Sequence, residues 1–139
     1  MTANSTELKY YLNGVWQGTI ETGFALDYGS NPLYFGRTGD SGWEGYFNGK
    51  LDEVRIWNVA RTQTQIQENM CKKLAGNESG LVAYYQMTDG SGTTLTDNSS
   101  NSNNGTLTNI DDADWVISGA AIGDASTADY NLPTTTSVK

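Results

Sequence analysis

Lys50-Leu51-Asp52-Glu53-Val54-Arg55-Ile56-Trp57-Asn58 is the stretch on which the reading of this chain turns. Val54, Ile56 and Trp57 are β-branched or aromatic and suit a pleated surface. Strand alternation puts Leu51, Glu53, Arg55 and Trp57 on one face and Asp52, Val54, Ile56 and Asn58 on the other. Glu53 and Arg55 mark the first face as partly solvated, and Val54 and Ile56 mark the second as the core side. The turn pair Asn48-Gly49 precedes the strand, and a helical pattern follows it.

Upstream, Leu8 to Gly18 reads as a hairpin around Asn13-Gly14. A type I′ turn needs positive φ at both central positions, which Asn-Gly supplies. A two-residue turn then pairs Leu12 with Val15 and Tyr11 with Trp16. Downstream, Thr62 to Lys73 is the one helical pattern. Thr62 and Gln65 have capping-box spacing, and Ile66, Met70 and Leu74 recur every four residues as an apolar stripe. Lys72 and Lys73 are expected in the last turn and Gly76 at the stop.

Residues 21–31 read as a loop or weak strand, Leu33 to Gly36 as a short strand, and Arg37 to Gly45 as a Gly-rich loop carrying Trp43. Trp43 is either a lid over the core or an exposed binding aromatic. Leu81 to Met87 is a second strong strand. Thr88 to Asn104 is polar apart from Leu95, and Gly105 to Thr108 and Trp115 to Ile117 are short strands. The expected strands are therefore near 8–13, 15–20, 32–36, 50–58, 81–87, 105–108 and 115–117. The fold class is all-β, an antiparallel two-sheet sandwich with one short amphipathic helix. Residues 1–124 form the sandwich, and 125–139, small and polar, form an arm or linker.

The 139 residues suffice for one domain with a real core. Mean hydropathy is −0.51, and no apolar run has the length of a membrane span, so membrane insertion is not expected. Only 17 % of residues are charged, and Gly, Asn, Ser, Thr, four Trp and eight Tyr take their place, a mixture that suits a loop-rich β protein outside the cytosol. Net charge is −8; residues 81–139 hold one basic and seven acidic groups, which argues against a nucleic-acid partner. Cys71 is alone, so no internal disulfide forms. The absence of His excludes the Ser-His-acid triad, the Cys-His pair and imidazole zinc sites.

Phe47 to Asn58, followed by a capped helix, resembles the last strand and helix of laminin-G-like jelly rolls of the concanavalin A-like lectin/glucanase fold. Leu8 to Gly14 resembles the hairpin that precedes them in that family. Gly80-Leu81-Val82-Ala83-Tyr84-Tyr85, then Asp89 to Thr94, then Asp97 to Leu107, resembles the family's opening motif. The family order is reversed here, and its middle strands are missing. The chain is then a junction of two tandem jelly rolls, a permuted and shortened one, or a fragment completed from elsewhere. The short connection Ala75 to Gly80 favours the second and third.

Asp97, Asn98, Ser99, Asn101, Asn103 and Asn104 crowd hard oxygen donors into eight residues, the chemistry that calcium takes. The resemblance implies a structural calcium near this loop; the alternative is a turn that satisfies its own backbone. The candidate metal ligands are Asp97, Asn98, Asn101, Asn103 and Asp52. Asp52, on the core face, needs a partner: calcium, Arg61 or amides of the Asp97 loop. Of the aromatics able to stack on sugar (Trp16, Tyr34, Trp43, Tyr46, Trp57 and Trp115), Trp43 and Tyr46 are the candidate ligand-binding residues. Asp52 and Glu53 point to opposite faces and cannot serve as a glycosidase pair, so no catalytic residues are expected.

The expectation is a non-catalytic binding or adhesion module of a secreted or cell-surface protein that recognises carbohydrate or an extracellular protein. The competing class is a structural spacer or self-assembling domain without ligand. The missing strands imply open edges, and hence self-association or a neighbouring domain that supplies strands.

Overall fold

The computed structural model describes residues 1–4, 6–23, 32–39, 42, 45–118 and 122. Strands β1 (Thr2–Ala3), β2 (Glu7–Leu12) and β3 (Val15–Glu21) form an antiparallel sheet in the order β1-β2-β3. Strand β4 (Val54–Trp57) is followed by helix α1 (Gln63–Asn69) and pairs with β5 (Leu81–Tyr85). Strand β6 (Thr94–Leu95) pairs with β7 (Gly105–Thr106), and a 3-10 turn covers Asp112–Asp114. Every named pairing is antiparallel. This is the all-β class with one short helix that the sequence implies, as a small sandwich whose sheets are only partly closed.

The hairpin has the expected register: Leu12 pairs with Val15 and Tyr11 with Trp16. Asn13 and Gly14 both have positive φ, 50° and 73°. Gly14 is buried, and a Cβ there would collide with the Met70 sulfur and Gln67 Cγ. The turn therefore needs Gly both for its backbone and for close contact with α1. The Trp16 amide donates to Gln63 Oε1 at 2.9 Å, a second tie from hairpin to helix.

The central strand is shorter than expected. Glu53 has a φ of 53°, so extended backbone begins only at Val54 and the alternation does not reach back through Asp52. From Val54 on, the two faces are distinct. Val54 and Ile56 pack with Ala83, Tyr85 and Leu95, as the core-side reading requires. Trp57 packs on the other side against Leu74, Leu81 and Tyr84. That face is not solvated: the side chains of Arg55 and Glu53 are only 10 % and 15 % exposed. The apolar pattern missed this because the face is closed by an ion pair and helix carbonyls.

Helix α1 has the expected capping box: Thr62 Oγ1 accepts from the Gln65 amide, and Gln65 Oε1 accepts from the Thr62 amide. It ends at Asn69, with Met70 as C-cap, so Lys72 and Lys73 lie beyond the last turn and Gly76 is not the stop. At that end the Arg55 guanidinium donates to the carbonyls of Asn69 and Lys72. A cation from β4 thus satisfies carbonyls at the helix end. Leu74 is buried.

Residues 32–36 form no named strand. Their neighbour Arg37 instead makes an isolated antiparallel bridge with Tyr46, flanked by bonds from Phe47 N to Gly36 O and from Thr38 N to Gly45 O. Trp115 to Ile117 is likewise not a strand; it follows the 3-10 turn that Asp111 caps. The expected arm at 125–139 lies outside the described residues, as does most of 21–31.

Candidate functional site

The Asp97 loop is built around one buried carboxylate, 5 % exposed. Oδ1 accepts from the amides of Tyr84 and Ser99, each at 2.8 Å. Oδ2 accepts from the Asn103 amide at 2.7 Å and from Ser99 Oγ at 2.9 Å. Burial alone would raise the carboxyl pKa, but the bonds from the Tyr84, Ser99 and Asn103 amides and Ser99 Oγ outweigh it and hold the pKa below its ordinary value. The charge therefore persists inside the fold and organises three segments.

Two of the asparagines turn their amide nitrogens inward. Asn101 Nδ2 donates to the carbonyls of Leu81 and Val82, and Asn103 Nδ2 donates to Val82 O. Asn104 Oδ1 accepts from the Asp97 amide. Asn98 joins by its backbone, donating to Tyr84 O at 2.7 Å, with its side chain exposed. Asp97, Asn101 and Asn103 are thus brought together, with the Asp97 oxygens facing N–H and O–H donors. A calcium site needs several oxygens converging on one point. Here both Asp97 oxygens accept from the chain's own donors, and among the described residues no three His, Cys, Asp or Glu side chains stand together as a metal-holding group.

Asp52 stands apart from this loop. It accepts a hydrogen bond from Ser118 Oγ, a partner absent from the three that the sequence suggested. Its place on the core face also fails, because Glu53 turns the chain between it and Val54. Tyr46 is 70 % exposed beside the bridge to Arg37 and lines neither of the two hollows that flank Arg61. Trp43 lies outside the described residues.

A constellation that sequence reasoning missed sits between β4 and α1. A hollow of about 280 Å³ is walled by Glu53, Arg55, Trp57, Arg61, Gln65 and Asn69, among others. Glu53 Oε2 accepts from Arg55 Nη2 at 2.8 Å and from the Tyr84 hydroxyl at 2.5 Å. Burial, and then the bond to the negative Glu53, push the Tyr84 phenol up to about 12. The Arg61 guanidinium lies 4.2 Å from the centre of the Trp57 ring. Arg61 also lines a second hollow of about 210 Å³ toward β1 and β2, with Tyr11 and Lys9. The sequence signal was available in Trp57-Asn58-Val59-Ala60-Arg61-Thr62: an Arg four residues past a strand Trp, just before a helix cap.

Residues 1–67 match a laminin-G-like family model described as the concanavalin A-like lectin/glucanases superfamily. No curated protein matches the chain. Among solved structures, the chain is similar to a protein from Bacteroides ovatus described as a proposed carbohydrate-binding protein, with 34 % identity and a TM-score of 0.56. That similarity covers 69 % of this chain and 29 % of the other, so this chain spans about three-tenths of its relative's length. The family match takes in the Asn-Gly hairpin, β4 and most of α1 and ends before Gly80. Over those 67 residues, just under half of its length, the chain is similar to the laminin-G-like members of the concanavalin A-like lectin/glucanases superfamily.

Proposed function

We propose that this chain is a non-catalytic carbohydrate-binding unit of a larger secreted or cell-surface protein. The similarity to the Bacteroides ovatus protein, at 34 % identity over 69 % of this chain, carries the reading. The hollow between β4 and α1 supports it, since an apolar ring beside a few fixed polar groups is the make-up of a small-ligand site. The reading is non-catalytic because glycoside hydrolysis needs two carboxylates across a cleft. Glu53, which lines the hollow, is already held by Arg55 and Tyr84. No helix among the described residues is long and apolar enough to cross a membrane. A glycan array, followed by calorimetric titration of retained sugars, tests the proposal. Retention of a glycan class is the expected result, and an array blank throughout would overturn it.

A second reading, a self-assembling or strand-completed unit, is favoured by the hairpin sheet. Tyr10, Leu12, Val15, Trp16 and Ile20 all remain substantially exposed there. Apolar surface of this kind, on a sheet whose β3 edge has no partner strand among the described residues, favours pairing with another chain. Light scattering across micromolar concentrations should show concentration-dependent mass. A constant monomer would remove this reading.

A further inference from the structure

The hollow between β4 and α1 has an unbalanced inventory of polar groups. Glu53 is neutralised by Arg55, whose two terminal nitrogens are spent on Glu53, Asn69 O and Lys72 O. Arg55 Nε is buried and has no partner among the described residues. Arg61 has neither an acidic partner nor a hydrogen-bond acceptor among the described residues, and its guanidinium is stacked on Trp57. Stacking leaves the N–H edge of a guanidinium available. Arg55 Nε is too deeply buried to meet a ligand, so the one charged group of the hollow without an oppositely charged partner among the described residues is Arg61, in a chain of net charge −8. A neutral hydroxyl could meet single donors but not the charge. A planar carboxylate, which only accepts, meets both and fits the guanidinium fork two-pronged. At about 280 Å³ the hollow is slightly smaller than ordinary ligand sites, roughly 300–1,000 Å³, and has room for one sugar ring and not a chain.

We propose that this hollow binds the carboxylate of an acidic sugar, a uronate unit, with Arg61 as the group that pairs with it and Trp57 as the stacked support. This deepens the carbohydrate-binding reading and rests on it.

The test titrates the protein with galacturonate and glucuronate trisaccharides and with their uncharged galactose and glucose counterparts. The Trp57 indole N–H resonance reports the site. The acidic trimers should bind, move that resonance and weaken as salt rises. Arg61→Gln should lower their affinity about tenfold or more at unchanged melting temperature. Arg61→Lys, which keeps the charge but loses the fork, should fall between. Binding of neutral trimers alone would overturn this inference and leave the carbohydrate reading standing. Acidic trimers bound equally by Arg61→Gln would place their site elsewhere and overturn it too. If no sugar binds here or on the array, both readings fall.

Discussion

The backbone amide of Tyr84 donates to Oδ1 of Asp97 across 2.8 Å, tying the middle of β5 to the loop that follows it. Three further donors, from Ser99 and Asn103, complete the carboxylate. The carboxylate that the sequence marks as a metal ligand thus works as the acceptor hub of a turn.

Asp97→Ala should destabilise the protein by about 3 kcal/mol or more. Buried donors left without an acceptor cost roughly 1–3 kcal/mol each, partly recovered by local relaxation. Urea unfolding followed by tryptophan fluorescence measures it. A change smaller than that of an exposed Asp112→Ala control would contradict the hub.

Stability should also depend on pH in a definite direction at each end. The Asp97 pKa is depressed in the fold, so its contribution is complete above the ordinary carboxylate value, about 4, and is lost as pH falls through the depressed one. Asp97→Ala should flatten that acid limb. The Tyr84 phenol is raised to about 12, so its contribution is complete below the ordinary tyrosine value, about 10, and is lost as pH climbs toward 12. Unfolding curves from pH 2 to pH 12 would show both limbs, and Tyr84→Phe should remove part of the alkaline one.

Calcium should leave the melting temperature of chelator-treated protein unmoved, because each Asp97 oxygen already faces two donors of the chain. A ligand bound only by the native state would raise it by mass action. A rise that disappears in Asp97→Ala would put calcium in the loop.

Arg55→Leu should cost about 3–5 kcal/mol, the range for removing one partner of a buried pair, since Glu53 would keep its charge with Tyr84 alone. The double variant Arg55→Leu/Glu53→Leu should recover part of the loss. Chemical denaturation of Arg55→Leu, Glu53→Leu and the double variant closes the cycle, and additive losses would show the pair uncoupled.

Local chemistry was legible in the sequence where one or two neighbours decide it. Asn13-Gly14 set the hairpin register, Thr62 and Gln65 the helix start, and Val54 and Ile56 the core side of β4. What was hidden depended on partners far along the chain. Alternation made Glu53 and Arg55 a wet face, because their cover comes from Tyr84 and from carbonyls of residues 69 and 72. The internal bonding of the oxygen-rich loop was hidden as well, because composition counts donors without showing which way an amide turns; Asn101 and Asn103 direct nitrogen at the carbonyls of β5. The Arg61 hollow escaped notice because its walls come from a strand and a helix that only packing brings together.

The grip of Arg55 on carbonyls at and just past the end of α1 also bears on the order of folding. Seven residues of helix are too few to persist alone, since nucleation is costly and little propagation follows. The N-terminal end carries its own cap, but the C-terminal end borrows one from a strand fourteen and seventeen residues earlier. That strand is in turn held in place by β5, which comes after the helix. Helix α1 should therefore consolidate late, after β4 and β5 have met, with mutations on its exposed side changing the unfolding rate far more than the folding rate.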